Sequence, residues 1–242
     1  MFIDEVTSRC DFSRGVLQPF ICRLNDSEYY FAKGSNSGVR GLISEWIAAN
    51  MAHAFGLPTP PCTIAYLDPT LKSILDPAWQ ADLEFENLFA SRSVMPCETV
   101  TITDLAAIPS TLQRDVFVFD YWVQNEDRHL GETAGNVNLL FQPHSQSLQV
   151  IDFNLAFADD FNPSDMSTHV FHDALASSPI DLDDQSKYGA RFEKCIAELE
   201  VFISAIPDEW IEYSPSSSAI LQRIREQLSR YRRDDFWGGL TW

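Results

Sequence analysis

The sequence predicts an α+β chain of two lobes, a small strand-rich N-terminal part followed by a larger helical remainder. Three observations carry that expectation. A strand pair rich in aromatic residues lies near the N-terminus, an apolar helix follows it directly, and beyond residue 68 the apolar spacing is mostly helical. The dividing line is expected there, giving a small lobe over residues 1–68 and a larger one over 69–242, within one domain overall.

Each element has its own signal. Residues 15–24 read as a strand, Asn25-Asp26-Ser27 as a turn, and Glu28-Tyr29-Tyr30-Phe31-Ala32-Lys33 as the hairpin partner. Residues 34–38 form a Gly/Ser/Asn loop. Leu42, Ile43, Trp46, Ile47, Met51 and Phe55 recur at three- and four-residue steps, which predicts a helix over 42–55 stopped by Gly56 and Pro58. Residues 63–67 read as a strand closed by Asp68-Pro69. Val116, Phe119, Asp120 and Val123 mark a helix over 112–123, and apolar runs at 139–141 and 148–151 flank a turn to make a hairpin. Helices are expected over 188–206, ended by Pro207, and over 219–231, with 214–218 as a linker.

Composition narrows the function. At 242 residues, 45% hydrophobic and 12% aromatic, the chain has enough apolar material for a sizeable core. Its net charge of −18 disfavours nonspecific binding to nucleic acid or to an anionic membrane, because both would repel it. Arg223, Arg225, Arg230, Arg232 and Arg233 are the best basic patch, read as decoration of a C-terminal helix. Cys10, Cys22, Cys62, Cys97 and Cys195 are odd in number, widely spaced and without a CxxC pair, the pattern of reduced thiols in a cytoplasmic protein. Neither a signal peptide nor a membrane-spanning run is visible in the sequence.

The chemistry is expected from an ordered set of polar residues. Asp127-Arg128-His129 follows an apolar helix, Asn136-Val137-Asn138 opens a short apolar run, and Asp152 lies between Ile151 and Phe153. Phosphoryl transfer from a nucleotide needs such groups: a carboxylate to orient the attacking hydroxyl, and an Asn and an Asp to hold metal. Magnesium takes hard oxygen ligands and keeps several waters, so Asn136 and Asp152 plus phosphates suffice. Lys33, at a strand end, is placed to reach phosphates, and Glu45 on the next helix is its natural partner.

Plainer readings stand beside these. Lys33 alone is a strand-end lysine, Asn136 a turn residue beside Gly135, and Asn138 a competitor for the metal role. Ser13-Arg14-Gly15, with Gly15 its most useful member, can offer backbone amides to phosphates without a full glycine-rich fingerprint. His169 and His172 with Asp173 read as surface residues. Asp159-Asp160, Asp181 and Asp183-Asp184 read as solvated acidic loops.

In these residues the chain resembles the HipA-like kinases, in particular small stand-alone members. The matching stretches are Tyr30-Phe31-Ala32-Lys33, Ser44-Glu45-Trp46-Ile47-Ala48, residues 55–60, residues 119–128, Asn136-Val137-Asn138-Leu139-Leu140 and Val150-Ile151-Asp152-Phe153, nearly the whole chain in order. The resemblance implies a bilobal protein-kinase-like fold that binds ATP and Mg2+ between the lobes. It assigns Lys33 to the phosphates with Glu45 as its partner, Asp127 as the catalytic carboxylate, and Asn136 and Asp152 as metal ligands. It also implies transfer to a protein serine or threonine, and an antitoxin-like inhibitor as a partner, since characterised relatives include toxins of toxin–antitoxin systems. The alternatives are a degenerate kinase-fold module that binds nucleotide or a protein, or a lipid or small-molecule kinase, because Asp-Arg-His is also similar to phosphoinositide kinases. One departure stands out. Family members place the metal Asn after four intervening residues, whereas here the gap is longer and Glu132 occupies that spacing. An outward insertion that leaves Asn136 in place is the simplest account.

Overall fold

The computed structural model describes residues 1–10, 18–129, 136–142, 145 and 147–240. Strands β1 (Ile3–Arg9), β2 (Phe20–Leu24) and β3 (Tyr29–Lys33) run as an antiparallel meander. Helix α1 (Gly38–Phe55) follows, then β4 (Cys62–Tyr66), the short helices α2 (Pro69–Ser73) and α3 (Pro77–Asp82), and β5 (Asn87–Arg92). β5 inserts between β3 and β4, so the sheet order is β1-β2-β3-β5-β4 with every neighbour antiparallel.

The division expected at residue 68 therefore cuts through this sheet. Asn87–Arg92 belongs with the N-terminal strands, and its pairing is between segments distant in sequence, which local patterning does not register. The far edge is also covered. Phe2 bridges Tyr66 in parallel, and the Met1 ammonium donates to Ile64 O at 3.0 Å, so the sheet curls until its first strand meets β4.

Alternation along the strands decides what each face meets. Phe20, Cys22, Leu24, Tyr30, Ala32, Ala65, Leu88 and Ala90 are buried on one face beneath Leu83 and the partly buried Leu71, Leu75 and Trp79 of the α2–α3 region. Phe89 points the other way, into the core built around α1. Lys33, next to Ala32, lies on this second face.

Past β6 (Glu98–Thr99) come α4 (Ser110–Val123), the hairpin β7 (Leu139–Gln142) and β8 (Ser147–Val150), then α5 (His172–Ala176), α6 (Leu182–Ser204), α7 (Asp208–Tyr213), α8 (Ser217–Leu228) and α9 (Asp234–Gly238). β6, β7 and β8 form a second antiparallel sheet. α1 starts earlier than its apolar periodicity indicates, because its first turn is glycine-rich. It ends as expected, with Gly56 left-handed at φ 95° and the Gly56 and Leu57 amides closing on the last turn. α6 also begins early, capped by Asp181, which accepts from the Asp184 amide at 2.8 Å.

α1 is apolar around most of its circumference and is buried accordingly. Phe55, at its C-terminal end, packs against Phe119, Trp122, Tyr188 and Phe192, and Trp122 stacks on Phe192 at 4.1 Å between centroids. Each such side chain contributes roughly 1.5–3 kcal/mol of burial. The Trp46 indole donates to Phe202 O at 2.8 Å, and α7 ties back to β5, with Glu209 accepting the Glu86 and Asn87 amides and Trp210 donating to Asn87 O. α1 is thus held from both sides.

The C-terminal arginines are engaged within the fold. Arg223 pairs with Asp159, Arg225 with Glu200, Arg232 with Glu193 and Arg233 with Asp235, while Arg230 donates to backbone carbonyls. Burial pushes the Cys22 and Cys195 thiols up to about 12, which removes them as nucleophiles. Among the described residues no helix is long and apolar enough to cross a membrane.

Candidate active site

Lys33 ends β3 because the chain must turn there. The next residue is Gly34, packed so tightly on the end of α3 that a Cβ would lie 2.6 Å from Asp82 O. The Lys33 ammonium projects over α1 and meets two carboxylates, Glu45 Oε2 at 2.8 Å and Asp152 Oδ1 at 2.8 Å. Glu45 is buried in the middle of α1, and its other oxygen accepts the Phe153 amide at 3.1 Å. One carboxylate therefore fixes both the lysine and the backbone beside Asp152.

Charge follows from that geometry. Burial works against the Lys33 charge, yet Asp152 and Glu45 outweigh it and hold the ammonium above its usual value. Burial lifts the Glu45 carboxyl to about 7, with Lys33 offsetting only part of the cost. Asp152 moves the other way: its desolvation is outweighed by Lys33, so it stays ionised below its ordinary value. Asp152 sits in left-handed backbone at φ 58°, a conformation that costs a non-glycine residue energy and concentrates at functional sites.

Asp127 lies in the loop after α4. Its carboxylate accepts from Asn136 Nδ2 at 2.5 Å and from Asn138 Nδ2 at 3.1 Å, and Asn138 also donates to Asp127 O. Burial raises the Asp127 carboxyl, the nearby Asp152 charge adds to this, and the Asn138 bond opposes it. Asn138 is thus an orienting partner of Asp127, a role the sequence reading did not separate from metal binding.

The long spacing between Asp127 and Asn136 has a structural counterpart. The His129 amide donates to Asn136 O at 3.1 Å, which pins Asn136 beside the Asp127 loop. Glu132 lies outside the described residues, as do Ser13, Arg14 and Gly15.

Arg128 joins the two halves of the site. Its guanidinium bonds Asp120 Oδ2 at 2.7 Å, Asn138 O at 2.5 Å and Ile151 O at 3.2 Å, and the Ile151 amide donates to Asn138 O. The segments carrying Asp127, Asn136 and Asp152 are therefore stitched through one buried side chain. Asp120 also accepts from Asn125 and from His169 Nε2 at 3.0 Å. The Phe171 amide donates to His169 Nδ1, which puts the proton on Nε2, and burial lowers the His169 value so that the ring is neutral.

That network corrects one reading of the sequence. His169 is 5% exposed, a buried part of the loop scaffold and no surface residue. Burial of a lone histidine far along the chain has no local signature, although its partner Asp120 on the apolar face of α4 was a visible hint.

Below Asp127 an open cavity of about 520 Å³ is lined by Asp127, Glu126, Arg40, the first turn of α1 and residues 154–156. A hydroxyl substrate has room to approach the carboxylate from this side. The donor set suits phosphate oxygens and a divalent ion. Asp152 supplies a carboxylate, Asn136 donates its amide N–H to Asp127 and leaves its carbonyl oxygen for a ligand, and Lys33 supplies the cation.

Comparison with known proteins bears on the family and the fold. Residues 3–240 match the model of a family described as HipA-like kinase. No curated protein matches the sequence significantly. The chain is similar in fold to the crystal structure of a Helicobacter pylori proinflammatory kinase, CtkA, with a TM-score of 0.58 and 14% identity over 93% of this chain and 92% of that one.

Proposed function

This chain belongs to the HipA-like kinase family, and we propose that it transfers the γ-phosphoryl group of ATP, with Mg2+, to a serine or threonine hydroxyl of a protein. The observation that carries this reading is the double contact of Lys33 with Glu45 and Asp152, in the same stitched cluster as Asp127 and Asn136.

When bound, the metal–nucleotide pair supplies an activated phosphoryl group and neutralises its charge. The protein's own groups do the rest. Lys33 holds phosphate oxygens, Glu45 keeps Lys33 aimed, and Asn136 and Asp152 would hold the metal. Asp127 accepts a hydrogen bond from the acceptor hydroxyl and aligns it, a task suited to a carboxylate already oriented by Asn138. The strong negative charge supports a protein acceptor over an anionic lipid or nucleic acid. Action in the cytoplasm and control by an antitoxin-like protein belong to the same reading.

The test is transfer of labelled γ-phosphate to added proteins or to the chain itself, with the modified residue mapped by mass spectrometry, alongside nucleotide-dependent thermal stabilisation with and without Mg2+. Label on serine or threonine that is lost in Asp127→Asn is the expected result. Nucleotide binding with no turnover would overturn it in favour of a binding module.

A further inference from the structure

Asp159 is where three elements meet. Its carboxylate accepts from Arg40 of α1 at 2.8 Å and pairs through its other oxygen with Arg223 of α8. Both arginines also take backbone oxygens nearby, Arg40 at Phe157 O (2.9 Å) and Arg223 at Asp159 O (3.1 Å). Arg40 precedes Glu45 on the same helix, and Asp159 follows Asp152 along the chain. A single carboxylate thus ties the segment leaving Asp152 to the helix that carries Glu45.

The other end of the tie is anchored. α8 is fixed to α6 by Arg225 and Glu200, and Leu228 O at its C-terminal end accepts from the Trp122 indole of α4 at 2.9 Å. Between Asp152 and Asp159 the chain is also fixed at Phe153, whose amide Glu45 accepts, at Phe157, left-handed at φ 61° with its amide on Val123 O at 2.7 Å, and at Ala158, whose carbonyl accepts from Gln227 of α8 at 3.3 Å. Arg40 lines the cavity below Asp127 and also a second cavity of about 340 Å³ against α8, so the clamp stands on the wall between them.

Stability is a poor explanation for it. The three side chains are about half exposed, at 44%, 51% and 43%, where an isolated ion pair adds about 0–1 kcal/mol. Two guanidiniums converging on one carboxylate from separate helices instead define position. The charge pattern is that of an arginine pair gripping a phosphorylated side chain, the device by which phosphotransferase segments are ordered after modification.

We propose that Asp159 is a positioning residue, a permanent carboxylate that orders the segment after Asp152 and sets α1 so that Glu45 faces Lys33, with no phosphorylation of that segment required. The effect on turnover rests on the kinase reading above; the effect on α1 does not.

Asp159→Asn, Asp159→Ala and Asp159→Glu in the full chain test it by amide hydrogen exchange over residues 38–45 and 153–161, melting temperature, and kcat and nucleotide KM. The Asn and Ala variants are expected to exchange faster in both stretches with little change in melting temperature. Their kcat/KM for nucleotide should fall about tenfold, and Asp159→Glu should recover most of each loss. Adding Arg223→Ala to Asp159→Asn should cost less than Arg223→Ala does alone, because the pair acts as a unit. Unchanged exchange over residues 38–45 in Asp159→Asn overturns the proposal, as does faster exchange with wild-type kcat/KM in an active enzyme. If the wild type transfers no phosphate, the kinase reading fails, while the exchange data still decide whether Asp159 sets α1.

Discussion

Arg128 and Asp120 are both fully buried and joined at 2.7 Å. The pair closes the turn after α4 on itself and, through Arg128, holds the backbone of Asn138 and Ile151. Burial opposes the Asp120 charge, but Arg128 and the His169 bond hold its carboxyl below the ordinary range. The loop that presents Asp127 therefore rests on a compensated, fully buried charge.

Removing one partner strands the other. Arg128→Met is expected to destabilise the fold by about 3–5 kcal/mol, the usual cost of leaving a buried charge unpaired. Asp127→Asn should cost within about 1 kcal/mol, since the position keeps a polar side chain among polar neighbours. Urea midpoints compare the two, and equal losses would contradict the separation of scaffold from site.

Asp127→Asn should lower transfer by roughly 10²–10⁴-fold, the range for loss of a group that positions and accepts a proton. Retained turnover in a steady-state assay would remove Asp127 from its assigned role.

Asn136 and Asn138 should fail differently. Asn136→Ala is expected to raise the Mg2+ concentration needed for half-maximal transfer. Asn138→Ala loosens Asp127 and should lower kcat by roughly 100-fold with Mg2+ dependence unchanged. A metal titration at saturating nucleotide distinguishes them; a shifted Mg2+ requirement in Asn138→Ala would exchange the two assignments.

Glu45 gives function and stability opposite responses to pH. Its carboxyl is raised from an ordinary 4.5 to about 7, so the folded state takes up a proton that the unfolded chain releases. That contribution to stability is fully present below 4.5 and is lost as pH rises through about 7. The Lys33 ion pair forms in the reverse direction, so nucleotide KM should fall as pH rises through the same window. Glu45→Gln should flatten both curves, measured by nucleotide titration and by thermal unfolding across pH.

Much of this arrangement was legible in the chain itself. The run from Tyr29 to Lys33 alternates as a strand, α1 ends at the glycine its spacing requires, and Lys33, Glu45 and Asp152 come together as their order implied. What escaped has a common cause. β5 is defined by two partners in other segments, and β1 is a half-exposed edge strand rich in polar residues. His169 and Asp159 likewise owe their surroundings to Asp120, Arg40 and Arg223, tens of residues away. Interactions that close only in three dimensions leave no periodicity to read.

The bond from the His129 amide to Asn136 O has a bearing on how sites of this kind are found. Because a clasp at the base sets where Asn136 stands, the tally of amino acids between Asp127 and Asn136 does not set its address. Searches keyed to a fixed count between the aspartate and the asparagine will pass over such chains. A pattern keyed to the asparagine and the apolar strand it opens would retrieve them.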